Sequence, residues 1–169
     1  EDTKGFDSWF ERDLRHLRKR ISYSILSAYN FSRILDVGCG KGTFTHLLKK
    51  QNNQVVGIDM SRTVIRKAKE SFQDIDFRCM DVLNLPSLAE RFDLVVVMGT
   101  FAYVDGWSEL IGTIAAMTQW FYVAEYIPNR PIGFVKSAEH LVDEVEHHFN
   151  IRTKVSLDDE HYMLLAEVR

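Results

Sequence analysis

Cysteine is scarce in this sequence, since Cys39 and Cys79 are the only two among 169 residues. Their number and spacing fit neither a disulfide framework nor a zinc site, so we expect a reducing, cytoplasmic compartment. Apolar runs of about 18 residues are also missing, as is a charged start followed by an apolar stretch and a cleavage site. We therefore predict neither a transmembrane helix nor a signal peptide. The first residue is Glu, which leaves open that the sequence belongs to a longer protein.

Strong charge of either sign is absent as well. The 21 Lys and Arg residues against 24 Asp and Glu residues give a formal net charge of −3. Outside one N-terminal segment the basic residues are dispersed, so we expect no nucleic-acid partner and no membrane partner, but a small molecule. The length fits one domain, residues 1–169, with residues 1–30 as an N-terminal helix or lid and 31–169 as the core. The oligomeric state is not encoded in any pattern that we recognise.

Three glycines at alternate positions follow a short apolar run. The run, Arg33 to Val37, leads directly into Gly38, Gly40 and Gly42, and a helix-like segment begins at Thr43. Glycine permits turn conformations that other residues avoid, and it lets a ligand approach the backbone N–H groups closely. The segment therefore predicts a strand, a ligand-holding loop and a helix. Thr43 stands where the dinucleotide-binding fingerprint has its third glycine.

Strand-like and helix-like segments alternate along the rest of the chain. A Ser-x-x-Glu capping box at Ser8 predicts a first helix that continues to about Tyr29. This alternation predicts an α/β, Rossmann-like, doubly wound sheet of seven strands, mostly parallel, with a C-terminal antiparallel hairpin. Between the third and fourth strands, Pro86 interrupts the pattern, and only a short helix over 88–91 is expected. The predicted strands cover residues 33–37, 54–59, 75–80, 92–98, 120–126, 151–157 and 162–168, and the remaining predicted helices cover 43–50, 61–72, 107–117 and 137–149.

Acidic residues follow three successive predicted strands, at the sheet edge where such folds bind ligands. Asp59 lies 21 residues after Gly38, close to the spacing of about 20 at which an acid accepts ribose hydroxyl groups. Asp81 can accept a hydrogen bond from an adenine amino group while the Val82 N–H reaches a ring nitrogen. Met60 would pack on one face of that ring. These positions predict an adenosine-containing ligand.

Four motifs in this order resemble those of the class I S-adenosylmethionine-dependent methyltransferases, and with the terminal hairpin they cover nearly the whole chain. The N-terminal Ser8-Trp9-Phe10-Glu11-Arg12 stretch and the compact size are similar to nodulation-type N-methyltransferases. The four motifs are Asp36-Val37-Gly38-Cys39-Gly40-Lys41-Gly42, Gly57-Ile58-Asp59-Met60-Ser61, Met80-Asp81-Val82 and Phe92-Asp93-Leu94-Val95-Val96-Val97-Met98.

The resemblance implies a cofactor, S-adenosylmethionine, with S-adenosylhomocysteine as its product. It implies that the backbone of Gly38 and Gly40 lies against the methionine part of the cofactor. Asp36 would support the loop and the cofactor's ammonium group, and the Met98 carbonyl would flank the methionine end. Arg18, on the helix before the first strand, matches an arginine that meets the cofactor carboxylate in several small-molecule members. Asp59 would hold the ribose, and Asp81 with Val82 would read the adenine.

The acceptor is inferred from missing signatures. Gly99 to Tyr103 differs from the Asn/Asp-Pro-Pro-Tyr/Phe motif of base and glutamine methylation, and the double-glutamate loop of protein arginine methylation is absent. We therefore expect methyl transfer to an N or O atom of a small molecule, without a metal ion. No catalytic base is evident; Glu125 and Tyr103 are candidates, although Glu125 can equally be a buried structural acid. We interpret His140, His147, His148 and His161 as surface residues.

Two other functions remain open at this point. A nicotinamide-dependent oxidoreductase would need the third loop glycine that Thr43 replaces, and none of the six tyrosines has a lysine four residues later. A non-catalytic methyltransferase-like module that binds a cofactor or a partner would show decayed cofactor motifs, whereas the motifs here are intact.

Overall fold

The computed structural model describes residues 16–169 and divides them into seven strands, five α-helices and two 3-10 helices. The capping box at Ser8 and the aromatic residues beside it lie outside the described residues. The predicted continuous helix from Ser8 to about Tyr29 is wrong at His16, whose ψ of 125° is not helical, so the described helix begins at Leu17 and ends at Ser27. The 3-10 helices are Val82–Leu88 and Phe101–Tyr103. The α-helices are α1 (Leu17–Ser27), α2 (Thr43–Leu48), α3 (Arg62–Ser71), α4 (Trp107–Met117) and α5 (Ala138–His148). The strands are β1 (Arg33–Val37), β2 (Gln54–Asp59), β3 (Asp76–Cys79), β4 (Phe92–Met98), β5 (Thr118–Tyr126), β6 (Phe149–Leu157) and β7 (His161–Val168).

The seven strands form one sheet in the order β3-β2-β1-β4-β5-β7-β6. The first five strands along the chain pair in parallel, whereas β7 pairs antiparallel with both β5 and β6. This arrangement confirms the predicted α/β Rossmann-like sheet with a C-terminal antiparallel hairpin. The strand order reverses at β1, because β2 and β3 lie on one side of it and β4 lies on the other. The carboxyl ends of β1 and β4 open the crevice in which such sheets bind ligands.

Helices cover both faces of the sheet. The continuous apolar run of β4 is buried throughout Leu94–Val97, as expected for a parallel strand covered on both sides. Alternate residues of this strand belong to two separate cores, since Val95 packs with residues of α4 and α5 and Leu94 packs with residues of α1 and α2. The helix α1 therefore lies on the same face of the sheet as α2.

The prediction of the crossover before β4 is wrong in its position. The structure has a 3-10 helix over Val82–Leu88 that contains Pro86, rather than a helical turn over 88–91. The Asp81 side chain caps it by accepting a hydrogen bond from the Leu83 N–H at 3.0 Å, and the tighter 3-10 geometry accommodates the proline. The 3-10 helix Phe101–Tyr103 was not predicted.

Candidate functional site

A cleft of about 360 Å³ opens at the carboxyl edge of the sheet. This volume falls within the range of about 300–1,000 Å³ that is usual for small-molecule sites. The cleft lies over the ends of β2, β1 and β4, with the start of α1 at its rim. Its lining residues are Arg18, Lys19, Asp36, Gly38, Cys39, Gly40, Thr43, Phe44, Ile58, Asp59, Met60, Met80, Val82, Met98, Gly99, Thr100, Tyr103 and Val104.

The glycine loop crosses the middle of this cleft. The N–H groups of Gly38 and Cys39 both donate to the Ile58 carbonyl, at 2.8 and 2.9 Å, which ties the loop to the end of β2. Gly38 has a φ of 75°, in the left-handed region that favours glycine. A β-carbon at residue 38 would lie 2.0 Å from the Oγ1 atom of Thr100, so the loop can approach the end of β4 only without a side chain.

Asp36 lies beneath the loop and is almost fully buried, with 3% of its surface exposed. Its Oδ2 atom accepts a hydrogen bond of 2.6 Å from the Thr45 hydroxyl of α2. Burial raises the pKa of Asp36 to about 6, an effect that the hydrogen bond from Thr45 opposes and the nearby Asp59 carboxylate increases. The hydrogen bond joins the end of β1 to α2. The roles of Asp36 in supporting the loop and the cofactor's ammonium group remain predictions.

Asp59 stands at the end of β2 with one backbone donor on each oxygen. Its Oδ2 atom accepts from the Gly40 N–H at 3.1 Å, and its Oδ1 atom accepts from the Ser61 N–H at 2.8 Å. Each carboxylate oxygen has two lone pairs, so both can accept a further hydrogen bond from a ligand. The carboxylate is therefore held in a fixed orientation at the cleft with acceptor capacity remaining.

Of the three residues predicted to contact the adenine, two line the cleft and one does not. Met60 and Val82 line it, and the Met60 side chain is 74% exposed and available to cover a ring. Asp81 is exposed and caps the following 3-10 helix through its Oδ1 atom, and it is not among the residues that line the cleft. Its adenine-reading role remains a prediction.

Arg18 is one of two cationic residues that line the cleft, the other being Lys19. Its guanidinium group lies over Gly99. A β-carbon built on that glycine would be 3.6 Å from Nη2 and 3.7 Å from Nη1 of Arg18. The Nε atom of Arg18 is buried and has no hydrogen-bond partner among the described residues. Burial lowers the pKa of Arg18, and the charge of Glu125 opposes that change. A buried cation with an unused donor is costly unless an anion pairs with it.

Glu125 holds the loop that follows β4. Only 1% of its surface is exposed, and its Oε1 atom accepts hydrogen bonds of 2.9 Å from the N–H groups of Thr100 and Phe101. Burial raises the pKa of Glu125 to about 7, against the lowering effect of these two hydrogen bonds. Glu125 does not line the cleft. The geometry therefore favours the structural role over proton transfer from an acceptor.

Tyr103 lies at the rim of the cleft and is 60% exposed. Partial burial raises the pKa of Tyr103 and the charge of Glu125 raises it further, against the lowering effect of Arg18, so the phenol is protonated at neutral pH. In that form it can contact an acceptor but is a weak proton acceptor.

The cleft brings together most of the residues that the sequence predicted. Eight of the nine predicted cofactor-binding residues line it, and Asp81 is the exception. Sequence reasoning missed Thr100 and Lys19, whose positions depend on how the end of β4 and the start of α1 pack. Over residues 16–169, no group of three or more His, Cys, Asp or Glu side chains is arranged to hold a metal ion. Within the same residues, every helix is too short or too polar to cross a membrane.

Two curated methyltransferases are similar in sequence to about half of this chain. A ubiquinone biosynthesis O-methyltransferase of Coxiella burnetii (strain Dugway 5J108-111) is 34% identical over 88 residues, 50% of this chain and 38% of that protein. The corresponding protein of Rhodopseudomonas palustris (strain BisB5) is 36% identical over 96 residues, 54% of this chain and 38% of that protein. The chain thus spans less than half the length of these relatives.

Solved structures share the fold over nearly the whole chain. The N-methyltransferase NodS from Bradyrhizobium japonicum WM9, crystallised with S-adenosyl-L-homocysteine, superimposes with a TM-score of 0.80 at 22% identity, covering 96% of this chain and 92% of NodS. The family model described as "Methyltransferase domain" matches residues 34–119, which include the glycine loop, Asp59 and β4. The chain therefore belongs to the methyltransferase domain family, and it shares the fold of NodS.

Proposed function

We propose that this chain binds S-adenosylmethionine in the cleft and transfers its methyl group to an N or O atom of a small-molecule acceptor. One observation carries the proposal. A buried cation at the end of β4 and an oriented carboxylate at the end of β2 lie on either side of the glycine loop of β1. Because β1 lies between β2 and β4, the ends of β2 and β4 are two strand spacings apart, about 10 Å. A ligand with an amino-acid group at one end and a ribose further along matches this separation.

The donor set fits the cofactor group by group. Arg18 would pair with the carboxylate, which would give its buried Nε donor the hydrogen-bond partner that it lacks among the described residues. Gly38 and Gly40 would admit the methionine chain against the backbone. Asp59 would accept the ribose hydroxyl groups with its remaining lone pairs, and Met60 with Val82 would enclose the adenine.

The cofactor supplies an electrophilic methyl group on a sulfonium ion, so the residues of this chain have little covalent chemistry to perform. Their contribution is to hold the reactants in line and to exclude water, which can account for about 7–11 kcal/mol of the barrier. Thr100 and the exposed ring of Tyr103, fixed by Glu125 beneath the loop, form the side of the cleft on which an acceptor would enter. A small acceptor is consistent with the cleft size and with the names of the O-methyltransferase and N-methyltransferase relatives.

Three broader assignments belong to the same proposal. We propose that residues 1–169 act as one domain with its core at 31–169; of the predicted N-terminal segment 1–30, residues 1–15 lie outside the described part of the chain. Both cysteines are free, Cys39 buried and Cys79 exposed, which agrees with a reducing, cytoplasmic compartment. A formal net charge of −3 supports a small-molecule acceptor rather than a nucleic acid.

Calorimetric titration tests the proposal. The purified chain and an Asp59→Ala variant are titrated separately with S-adenosylmethionine, S-adenosylhomocysteine and NAD. We expect the first two to bind the unaltered chain and to bind the variant at least tenfold more weakly, because two ribose hydrogen bonds to a charged group are lost. Binding of NAD alone would contradict the methyltransferase assignment. Cofactor binding without methyl transfer across a broad acceptor panel would instead favour the non-catalytic module.

A further inference from the structure

Two buried polar atoms beside the end of β4 have no hydrogen-bond partner among the described residues. They are Nε of Arg18 and Oε2 of Glu125. Both side chains contact the segment 99–101. The guanidinium group of Arg18 lies over Gly99, and Oε1 of Glu125 accepts from the N–H groups of Thr100 and Phe101 at 2.9 Å. A cation and an acid therefore lie beside one short segment, and each has an unused polar atom.

The charges of Arg18 and Glu125 act on each other. Burial has the largest effect on both groups, since it raises the pKa of Glu125 to about 7 and lowers the pKa of Arg18. Each charge opposes the effect of burial on the other group. The N–H of Ala102 also lowers the pKa of Glu125, but it forms no hydrogen bond with Oε2. Arg18 therefore compensates part of the charge of the Glu125 carboxylate.

The proposed cofactor would bring a second carboxylate to the same cation. Arg18 lines the cleft, whereas Glu125 lies behind the loop and does not line it. Two carboxylates beside one guanidinium group, with little water around them, cannot both stay ionised without a large cost in free energy. An α-carboxyl group is the stronger acid, with an ordinary pKa of about 3.5 against about 4.3 for a glutamate side chain. Glu125 is therefore the group that becomes neutral.

We propose that Glu125 takes up a proton when the carboxylate of the cofactor pairs with Arg18, and that Glu125 is a positioning residue that makes cofactor affinity depend on pH. This inference rests on the proposed methyltransferase function and deepens it by naming a regulation of the cofactor site. One proton moves from solvent to Oε2, and no covalent bond of the cofactor changes. In the neutral form Oε1 still accepts from Thr100 and Phe101, so the segment after β4 keeps its position.

The surroundings of Glu125 contain few other groups that titrate near neutral pH. The helices α4 and α5 contribute apolar residues to the core on the face from which Glu125 projects. His161 pairs with Tyr126, the residue after Glu125, and therefore projects from the other face. The titratable groups on the neighbouring elements are Arg18 and Lys19 on α1, Tyr103 on the 3-10 helix Phe101–Tyr103, Tyr126 on β5, Tyr162 on β7 and, further along the cleft, Asp36 on β1.

The sign of the pH dependence follows from the uptake of a proton. As the pH rises above about 7, Glu125 loses its proton before the cofactor binds, and binding must take that proton from solution. At pH 7.5, a carboxyl group with a pKa of about 7 is about three quarters ionised, so binding takes up as much as about 0.75 proton. The dissociation constant should rise by as much as about fivefold between pH 7 and pH 8.

Calorimetric titration in buffers of different ionisation enthalpy counts these protons. The purified chain is titrated at pH 7.5 in phosphate and in Tris, first with S-adenosylhomocysteine and then with 5′-methylthioadenosine. The second ligand lacks the amino-acid group and leaves Arg18 without a new anion. The variant is Glu125→Gln, in which a neutral amide keeps the acceptor for Thr100 and Phe101. Glu109→Gln, at an exposed position of α4, is the matched control.

We expect the unaltered chain to take up at least about 0.3 proton more with S-adenosylhomocysteine than Glu125→Gln does, as the linkage requires. Any proton gained by the amino group of the ligand is common to all variants and cancels in this difference. Neither chain should take up a proton with 5′-methylthioadenosine. At pH 8, Glu125→Gln should bind S-adenosylhomocysteine more tightly than the unaltered chain, because its amide resembles the neutral carboxyl group. Glu109→Gln should behave as the unaltered chain does.

Each contrary result has a distinct meaning. If S-adenosylhomocysteine binds none of the chains, the proposed function itself fails. If it binds and the unaltered chain takes up no more protons than Glu125→Gln, Glu125 is only a structural acid and this inference is wrong. If Glu125→Gln binds more weakly than the unaltered chain at pH 8, the ionised carboxylate supports Arg18 in the complex, and the inference is overturned as well.

Discussion

A β-carbon on Gly38 would lie 2.0 Å from the Oγ1 atom of Thr100, closer than any real contact between such atoms. The Thr100 hydroxyl in turn donates to the Val37 carbonyl at 3.2 Å, directly before the glycine. The carboxyl ends of β1 and β4 are thus joined by a hydroxyl that occupies the space a side chain at residue 38 would need. The width of the cleft between these strands depends on this contact.

Gly38→Ala should therefore impair both folding and cofactor binding. The φ of 75° is unfavourable for alanine by about 1–2 kcal/mol, and Thr100 would also have to move. We expect the free energy of unfolding to fall by at least this amount and the affinity for S-adenosylhomocysteine to fall at least tenfold. Urea denaturation and calorimetry measure the two effects.

Gly112→Ala in α4 is the matched control. Its β-carbon would meet only ring atoms of the exposed His148 side chain, at 3.3 Å, and alanine in a helix is favoured over glycine by about 0.5–1 kcal/mol. We expect unchanged binding and equal or greater stability. Equal behaviour of the two variants would contradict the importance of the contact between Gly38 and Thr100.

Arg18→Ala should weaken binding of only those ligands that carry the amino-acid group. Hydrogen bonds to a charged group contribute about 1.5–3 kcal/mol, so the dissociation constant of S-adenosylhomocysteine should rise about 10- to 100-fold. The constant for 5′-methylthioadenosine, which lacks the carboxylate, should not change. Arg20→Ala, at an exposed position of the same helix, provides the control. Equal weakening of both ligands would place Arg18 elsewhere in the site.

The sequence predicted the central strands well because a strand that is buried on both faces consists of a short run of apolar residues, which the sequence shows directly. The bounds of β1, β2, β4 and α4 agree with the prediction to the residue, since apolar runs end there in acids, glycine or polar residues. The crossover before β4 was misplaced because Pro86 was taken to stop a helix. A short 3-10 helix capped by Asp81 tolerates it instead, and periodicity does not reveal such a segment.

The site was predictable where its residues lie at or directly after the end of a predicted strand. Gly38, Gly40 and Asp59 follow their strands directly, so parallel pairing of β1 with β2 places them together. The contact of Glu125 with Thr100 joins residues 25 positions apart, and it depends on the alignment of β4 with β5 and on one buried rotamer. That contact has no signal in spacing alone.

Thr45→Val should destabilise the support beneath the loop. The variant removes the 2.6 Å hydrogen bond to Asp36 and leaves a buried carboxyl group without that donor, at a cost of about 1–3 kcal/mol in the free energy of unfolding. Thr45→Ser keeps the hydroxyl and should lose less than half as much. Urea denaturation at pH 7 compares the two variants. A Val variant as stable as the Ser variant would show that the hydrogen bond contributes nothing.

Glu125 should make the protein less stable as the pH rises. Its pKa is about 7 in the folded chain against an ordinary value of 4.5, so the folded state binds the proton more tightly than the unfolded state. The resulting contribution to stability is complete below about pH 4.5 and is lost as the pH rises to about 7. Asp36, with a pKa of about 6 against 3.8, adds an effect of the same sign over a lower range.

Glu125→Gln should remove the larger part of this dependence. The amide oxygen can still accept from the N–H groups of Thr100 and Phe101, while the amide does not titrate. We expect the free energy of unfolding to change less between pH 5 and pH 8 in this variant than in the unaltered chain, as measured by urea denaturation at each pH. Glu109→Gln, at an exposed position of α4, should leave the dependence unchanged. If Glu125→Gln and the unaltered chain show the same slope, the carboxyl group is already ionised at pH 5, and the loop after β4 is held by a charged rather than a neutral group.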